Sequence, residues 1–178
     1  MQRTLLAALI GGIVVFAWGA VVHTALPIGQ MGLSTLEGEA EVVALLQQKS
    51  PQPGTFFFPD LAQAEGAEHP ASGPVAYLAW QPAASYGMGK NLALEFGSNV
   101  LAALMAALVV GCCAGAGSAF CRASAVMAMG VFAWLSVSAS HWAWHGFSNG
   151  VFLGEGIEQA SGWLLAGFAM APLLRPRT

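Results

Sequence analysis

Six side chains in this 178-residue sequence have types and spacings that could do chemistry together: His23, Glu95, Asn99, His141, His145 and Glu158. Each sits toward one end of a long apolar run, and Glu155 lies just before the last of them. Asn91, Glu95 and Asn99 stand at i, i+4 and i+8, which places them on one side of a helix. Ala102, Ala103 and Ala106 continue roughly that face. The first apolar run offers Gly12, Gly19 and His23, a later one Ser138, His141 and His145, and the last Glu158, Ser161 and Gly162. A polar stripe that merges into small residues is the pattern of an inward, close-packed helix face in a membrane. Four such faces turned together would make a polar cup at one end of a bundle.

Three chemistries compete for that cup. The residues can form an interfacial hydrogen-bond cluster that locks the helices and seats the intervening loop. They can hold a metal or a haem. His141 and His145, at i, i+4, offer two imidazoles from one helical face, with a Glu or His from another helix to complete a set, and histidines from two helices can ligate a haem axially. Neither an HExxH motif nor an EExxH repeat accompanies them. The third is a site between helices for a lipid, a quinone or a small amphiphile, with His23 or Glu95 as the polar contact. No familiar catalytic spacing occurs, which weighs against an enzyme without excluding one of unfamiliar pattern.

The elements that must position these residues are transmembrane helices. The chain is 56% hydrophobic and 8% charged, with a mean hydropathy of +0.63, whereas soluble domains carry about a quarter charged residues. Uncharged apolar runs of about 20 residues are the mark of a membrane helix. The spans are read at 5–26, 91–117, 123–145 and 157–174, the second and fourth each carrying one carboxylate, Glu95 and Glu158, near an end. The first is longer than the ~7–15-residue core of a signal peptide, so an uncleaved helix is expected, ended by Pro27. The fold class is therefore an all-α membrane protein. Its four-helix bundle carries a small α+β extracytoplasmic insertion between the first two spans. Tight loops between the later spans imply antiparallel neighbours.

The insertion, 27–90, holds six of the nine acids: Glu37, Glu39, Glu41, Asp60, Glu65 and Glu68. Ser34-Thr-Leu-Glu37 resembles a capping box, to be followed by a short helix whose first acids complement its macrodipole. Thr55–Phe58 and Val75–Trp80 read as two short strands, joined by a Gly/Pro/His-rich loop from Ala64 to Pro74.

Arg3, Arg122, Arg175 and Arg177 all fall on one side of a four-span arrangement, and Lys49 and Lys90 on the other. The positive-inside rule then makes both termini cytoplasmic. Trp142 and Trp144 end the third run where aromatic rings favour the headgroup region, while Trp18 and Trp163 lie deeper and read as packing residues. Cys112, Cys113 and Cys121 cluster near the cytoplasmic side, where thiols stay reduced. They are expected to be small packing residues. No ionisable group is expected at mid-depth, which argues against a proton-coupled transporter. The net charge of −3 and the absence of a basic stripe exclude a nucleic-acid partner.

The stretch Phe16-Ala-Trp-Gly-Ala-Val-Val-His23-Thr-Ala-Leu-Pro27-Ile-Gly29, with Phe57-Phe-Pro59 and more weakly Phe132-Ala-Trp-Leu-Ser136, resembles a group of uncharacterised bacterial inner-membrane proteins. The resemblance implies a bacterial inner membrane and a shared architecture, and no activity. Small-xxx-small pairs such as Ala102/Ala106, Gly111/Gly115 and Gly162/Ala166 suit internal packing, self-association or docking on other membrane subunits. The leading expectation is a non-catalytic accessory or structural subunit of a membrane complex. The alternative is a metal-, haem-, lipid- or quinone-binding protein using the His/Glu cluster.

Overall fold

In the computed structural model, which describes residues 1–59, 75–83, 86–113 and 117–175, the chain is predominantly helical with one two-stranded sheet. The order is α1 (Gln2–Ala25), a 3-10 turn (Pro27–Gln30), α2 (Glu39–Lys49), β1 (Gly54–Phe58), β2 (Ala76–Trp80), α3 (Met88–Cys113), α4 (Ala119–His145) and α5 (Asn149–Met170). Among the described residues, three helices are long and apolar enough to cross a membrane: Gln2–Ala25, Met88–Cys112 and Ala119–His145. This is the composition of an integral membrane protein. Helix α5, diluted by Glu155, Glu158 and several glycines, is not among the three.

Local chemistry sets the helix ends. Leu26 is extended because it precedes Pro27, so α1 stops there. Helix α4 starts at Ser118, whose Oγ accepts from Cys121 N–H at 3.1 Å, and it ends at Gly146 with φ +74°. Two residues later Ser148 opens α5, its Oγ accepting from Val151 N–H at 3.2 Å. Helix α5 therefore begins at Asn149, eight residues ahead of the apolar run read from the sequence. Hydropathy found the apolar half of this helix and missed its polar, capped first turns.

The capping box at Ser34–Glu37 does not form. Helix α2 starts two residues beyond it, at Glu39, preceded by a left-handed Gly38 with no side-chain cap. Glu39 and Glu41 do occupy its first turn, where carboxylates oppose the helix dipole. The two strands pair antiparallel from Gly54↔Trp80 to Phe58↔Ala76, and Trp80 Nε1 donates to Ser50 O at 2.8 Å. The loop between them lies outside the described residues.

Helix α1 is the central strut. It packs along both α3 and α5, and α4 packs along α5. Consecutive helices α3 and α4 touch only sparingly, and α3 does not pack closely on α5. The expectation that α3 and α4 are antiparallel neighbours is thus corrected. The close pairings are made by small residues, Gly11 and Gly12 of α1 against Ala103 and Val100 of α3, and Gly167 of α5 against Ala123 of α4. The core gathers at the end bearing Arg3, Arg122 and Arg175. It is built from Ala7, Ala103, Ala106, Ala107, Val110, Val126, Trp163, Ala166 and Met170. Ala102, read from the sequence as part of the inward face, is exposed, and Gly111 meets nothing. Cys112 and Cys121 are exposed as well, so these two are not packing residues.

After α1 the chain folds back over the start of α5. Gly32, at φ +76°, brings its backbone against Gly150, and Gly154 meets Ile28 O and Met31. Ser148 Oγ donates to Gly32 O at 3.0 Å. One hydroxyl thus caps α5 and ties down the strap. Ser148→Ala should destabilise the protein by about 1–2 kcal/mol, read as a lower unfolding midpoint in detergent. Ser148→Asp, which caps but cannot donate, should recover only part of the loss.

Candidate functional site

The strap lets α5 run past the end of α1, and this decides where the ionisable residues sit. His23 lies two residues from the end of α1, yet it meets Glu158, nine residues into α5. At 1.5 Å per residue, Glu158 is about 14 Å along its helix. Glu95, seven residues into α3, is about 10 Å along. The expectation that every ionisable group stays at a helix end is therefore corrected for Glu158. It arose from starting the helix at 157.

Helices α1, α3 and α5 enclose a cavity of about 540 Å³ at this level. Its lining comes from α1, α3 and α5, and among the described residues none of it from α4. His23, Glu95, Asn99 and Glu158 all line it, so the structure brings together four of the six residues singled out from the sequence. His23 Nε2 lies 3.3 Å from Glu158 Oε2. Asn99 Nδ2 donates to Glu95 Oε1 at 3.2 Å, one turn along the same face. The remaining walls are largely apolar and aromatic, with Phe16, Trp18 and Trp163 prominent. Phe16 is itself set edge-on against Phe96, with ring centroids 5.6 Å apart.

Both indoles are held by hydrogen bonds. Trp18 Nε1 donates to Ser161 Oγ at 3.0 Å, and that hydroxyl donates onward to Ile157 O at 2.6 Å. Trp163 Nε1 donates to Gln159 Oε1 at 2.9 Å. Ser161 is fully committed and offers no nucleophile. Trp18, Gln159 and Trp163 were not picked out as site residues by sequence reasoning. The available signal was periodicity: Gln159 and Trp163 are i, i+4 beside Glu158 and Gly162, on the helix face already marked.

His141 and His145 go elsewhere. Their rings are 5.3 Å apart on α4, which does not line the cavity. His141 also meets Phe147 at 5.1 Å, and Tyr77 of β2 stacks on His145 at 4.2 Å with the planes 12° apart. This stack is where the hairpin meets the bundle. His145 Nδ1 is buried with no hydrogen-bond partner among the described residues. A single ligand set drawn from His23, His141 and His145 is not assembled. Among the described residues, no group of three His, Cys, Asp or Glu side chains converges as a metal site.

What the cavity can do follows from its lining. Ligand sites in proteins are typically of ~300–1,000 Å³, mostly apolar, with a few placed polar groups that fix orientation. This one joins a cluster of carboxylate, imidazole and amide groups to an aromatic wall, which suits a molecule with a polar head and an apolar body. Comparison of the chain with protein-family models, curated proteins and solved structures returned no match to any of them.

Proposed function

We propose that this protein is a four-span integral membrane protein of the bacterial inner membrane that holds an amphiphilic small molecule or lipid between α1, α3 and α5. The single observation that carries this reading is the ~540 Å³ cavity in which His23, Glu95, Asn99 and Glu158, with the neutral Thr24, Asn91 and Gln159, face largely apolar and aromatic walls. Helix α5 is the fourth span. Its 22 residues extend about 33 Å, enough for the hydrocarbon core, and its packing on both α1 and α4 supports this. With four spans, Arg3, Arg122 and Arg175 share the cytoplasmic side and the strands lie outside. The cavity then sits in the outer half of the bilayer, where a lipid-soluble ligand enters sideways between α3 and α5.

Native mass spectrometry of the protein, extracted from its own membrane in mild detergent, tests this. The expected particle carries an adduct of lipid or cofactor size. Gly19 lines the cavity, and a Cβ there would meet Glu158 Oε1 at 3.3 Å. Gly19→Leu should therefore fill the space and remove the adduct while the helical content stays unchanged. A bare wild-type chain, or an adduct retained in Gly19→Leu, would sink the proposal.

A second reading, a non-catalytic accessory subunit, is favoured by one separate observation. Helix α2 buries none of its residues, and Leu33, Leu36, Val42 and Leu45 around it are all exposed. A partner subunit resting on that segment would cover them. Additional protein chains in the same mass spectrum are the expected result for this role.

A further inference from the structure

We infer that the head group taken by the cavity is a cation, an ammonium carried on an apolar tail. This inference rests on the proposal that the cavity holds a ligand, and it names the chemistry of that ligand.

Count the charges that face the space. Glu95 and Glu158 contribute two carboxylates, and His23 is the single basic side chain among the lining residues. His23 is spent on Glu158, at 3.3 Å. Among the described residues the Glu95 carboxylate has the Asn99 amide, at 3.2 Å, which supplies one hydrogen bond and no charge. Among the described residues, no Lys or Arg side chain lines the cavity. The His23–Glu158 contact, an ion pair when His23 is protonated, is the only such pair among the described residues. A carboxylate about 10 Å along a membrane helix, with a second carboxylate lining the same cavity from another helix, is an electrostatic deficit. A cationic head would offset it.

The aromatic wall fits the same ligand. The quadrupole of an indole or phenyl face attracts a cation within about 6 Å of the ring, tryptophan most strongly. Trp18 and Trp163 line the cavity with their N–H groups already bonded to Ser161 and Gln159. Those bonds take up the N–H dipoles, so what remains to the indoles is π surface, more on half-buried Trp18 than on Trp163, which is buried with its ring against Gly130. An anionic head would meet two carboxylates, and a neutral alcohol would leave the charge on Glu95 uncompensated. Asn91 and Gln159 add neutral hydrogen-bonding partners that an ammonium N–H can use.

The test is a binding series on the full chain in nanodiscs of zwitterionic lipid at pH 7, with four single-chain probes of equal length. These are dodecylamine, dodecyltrimethylammonium, dodecanol and dodecanoate. Binding is read by native mass spectrometry, and empty nanodiscs and Gly19→Leu protein correct for partition into lipid. Dodecylamine is expected to bind at least tenfold more tightly than dodecanol, since a hydrogen bond to a charged partner is worth roughly a factor of ten or more. Dodecyltrimethylammonium, charged but without a donor, falls between them, and dodecanoate does not bind. In Glu95→Gln protein the preference of dodecylamine over dodecanol should shrink about tenfold. Equal binding of dodecylamine and dodecanol to the wild-type cavity overturns the cationic head while leaving the ligand site intact. A preference unchanged in Glu95→Gln also overturns it, as does tighter binding of dodecanoate. Failure of all four probes together with a bare native particle overturns the ligand site itself.

Discussion

Gly12→Ala should lower the thermal unfolding midpoint of the detergent-solubilised protein by about 5 °C, although it adds a single methyl group. A Cβ built on Gly12 would lie 2.7 Å from Val100 Cα and 2.9 Å from Val100 N. These are backbone atoms of α3, which cannot rotate away as a side chain can. The two helices must separate instead, and forced overpacking of this kind costs about 1–3 kcal/mol. Gly167→Ala should behave alike between α5 and α4, because its Cβ would lie 2.7 Å from Ala123 O. Gly97→Ala in α3 is the control. Nothing lies within 4 Å of that position, so its midpoint should hold or rise slightly through better helix propensity. Circular dichroism against temperature reads all three. If Gly12→Ala unfolds no earlier than Gly97→Ala, the close α1–α3 apposition is wrong, and with it the shape of the cavity above it.

That apposition also explains which parts of the fold were legible in the sequence. Apolar runs report how long a helix stays out of water, so α1, α3 and α4 could be located, as could the two strands around Phe56 and Leu78. The polar stripe Asn91, Glu95, Asn99 was legible because its spacing can describe only one helix face. What hydropathy does not report is where a helix begins when its first turns are polar. Ser148 and Asn149 start α5 with a hydroxyl cap and a strap of Pro27–Leu33 laid over them. That strap is a tertiary contact across more than a hundred residues, with no local signal. From this one miss came the shallow placement of Glu158. Nor could spacing say which helices touch. His141 and His145 have the same periodicity as the cavity residues, but their helix packs on the far side of α5, so they join Tyr77 rather than His23. The four faces were each read as inward, and only three of them share a space.

Arg122 tests the separation between what a charge does for topology and what it does for the fold. In the proposed four-span arrangement it is counted with Arg3, Arg175 and Arg177 as one of four cations that would orient the chain. In the structure it is also 4% exposed, with its guanidinium used as a clamp. Nε donates to Ala171 O at 3.0 Å, and Nη1 donates to Gly117 O. Ala171 is the residue that ends α5, where carbonyls lack intrahelical partners and the helix dipole is negative. Arg122→Ala removes two charge-assisted bonds and strands their acceptors. At about 1.5–3 kcal/mol for each, the midpoint should fall by roughly 10 °C. Arg122→Lys keeps the charge but has one ammonium where two acceptors lie on different segments, so it should recover less than half of the loss. Orientation should survive both changes, since three cations remain on that side in Arg122→Ala and four in Arg122→Lys, as read by labelling a cysteine introduced beyond Arg175. Should Arg122→Lys unfold with the wild type, the positive charge alone suffices and the clamp carries no stability. An inverted chain with an unchanged midpoint would make Arg122 a topological signal and nothing more.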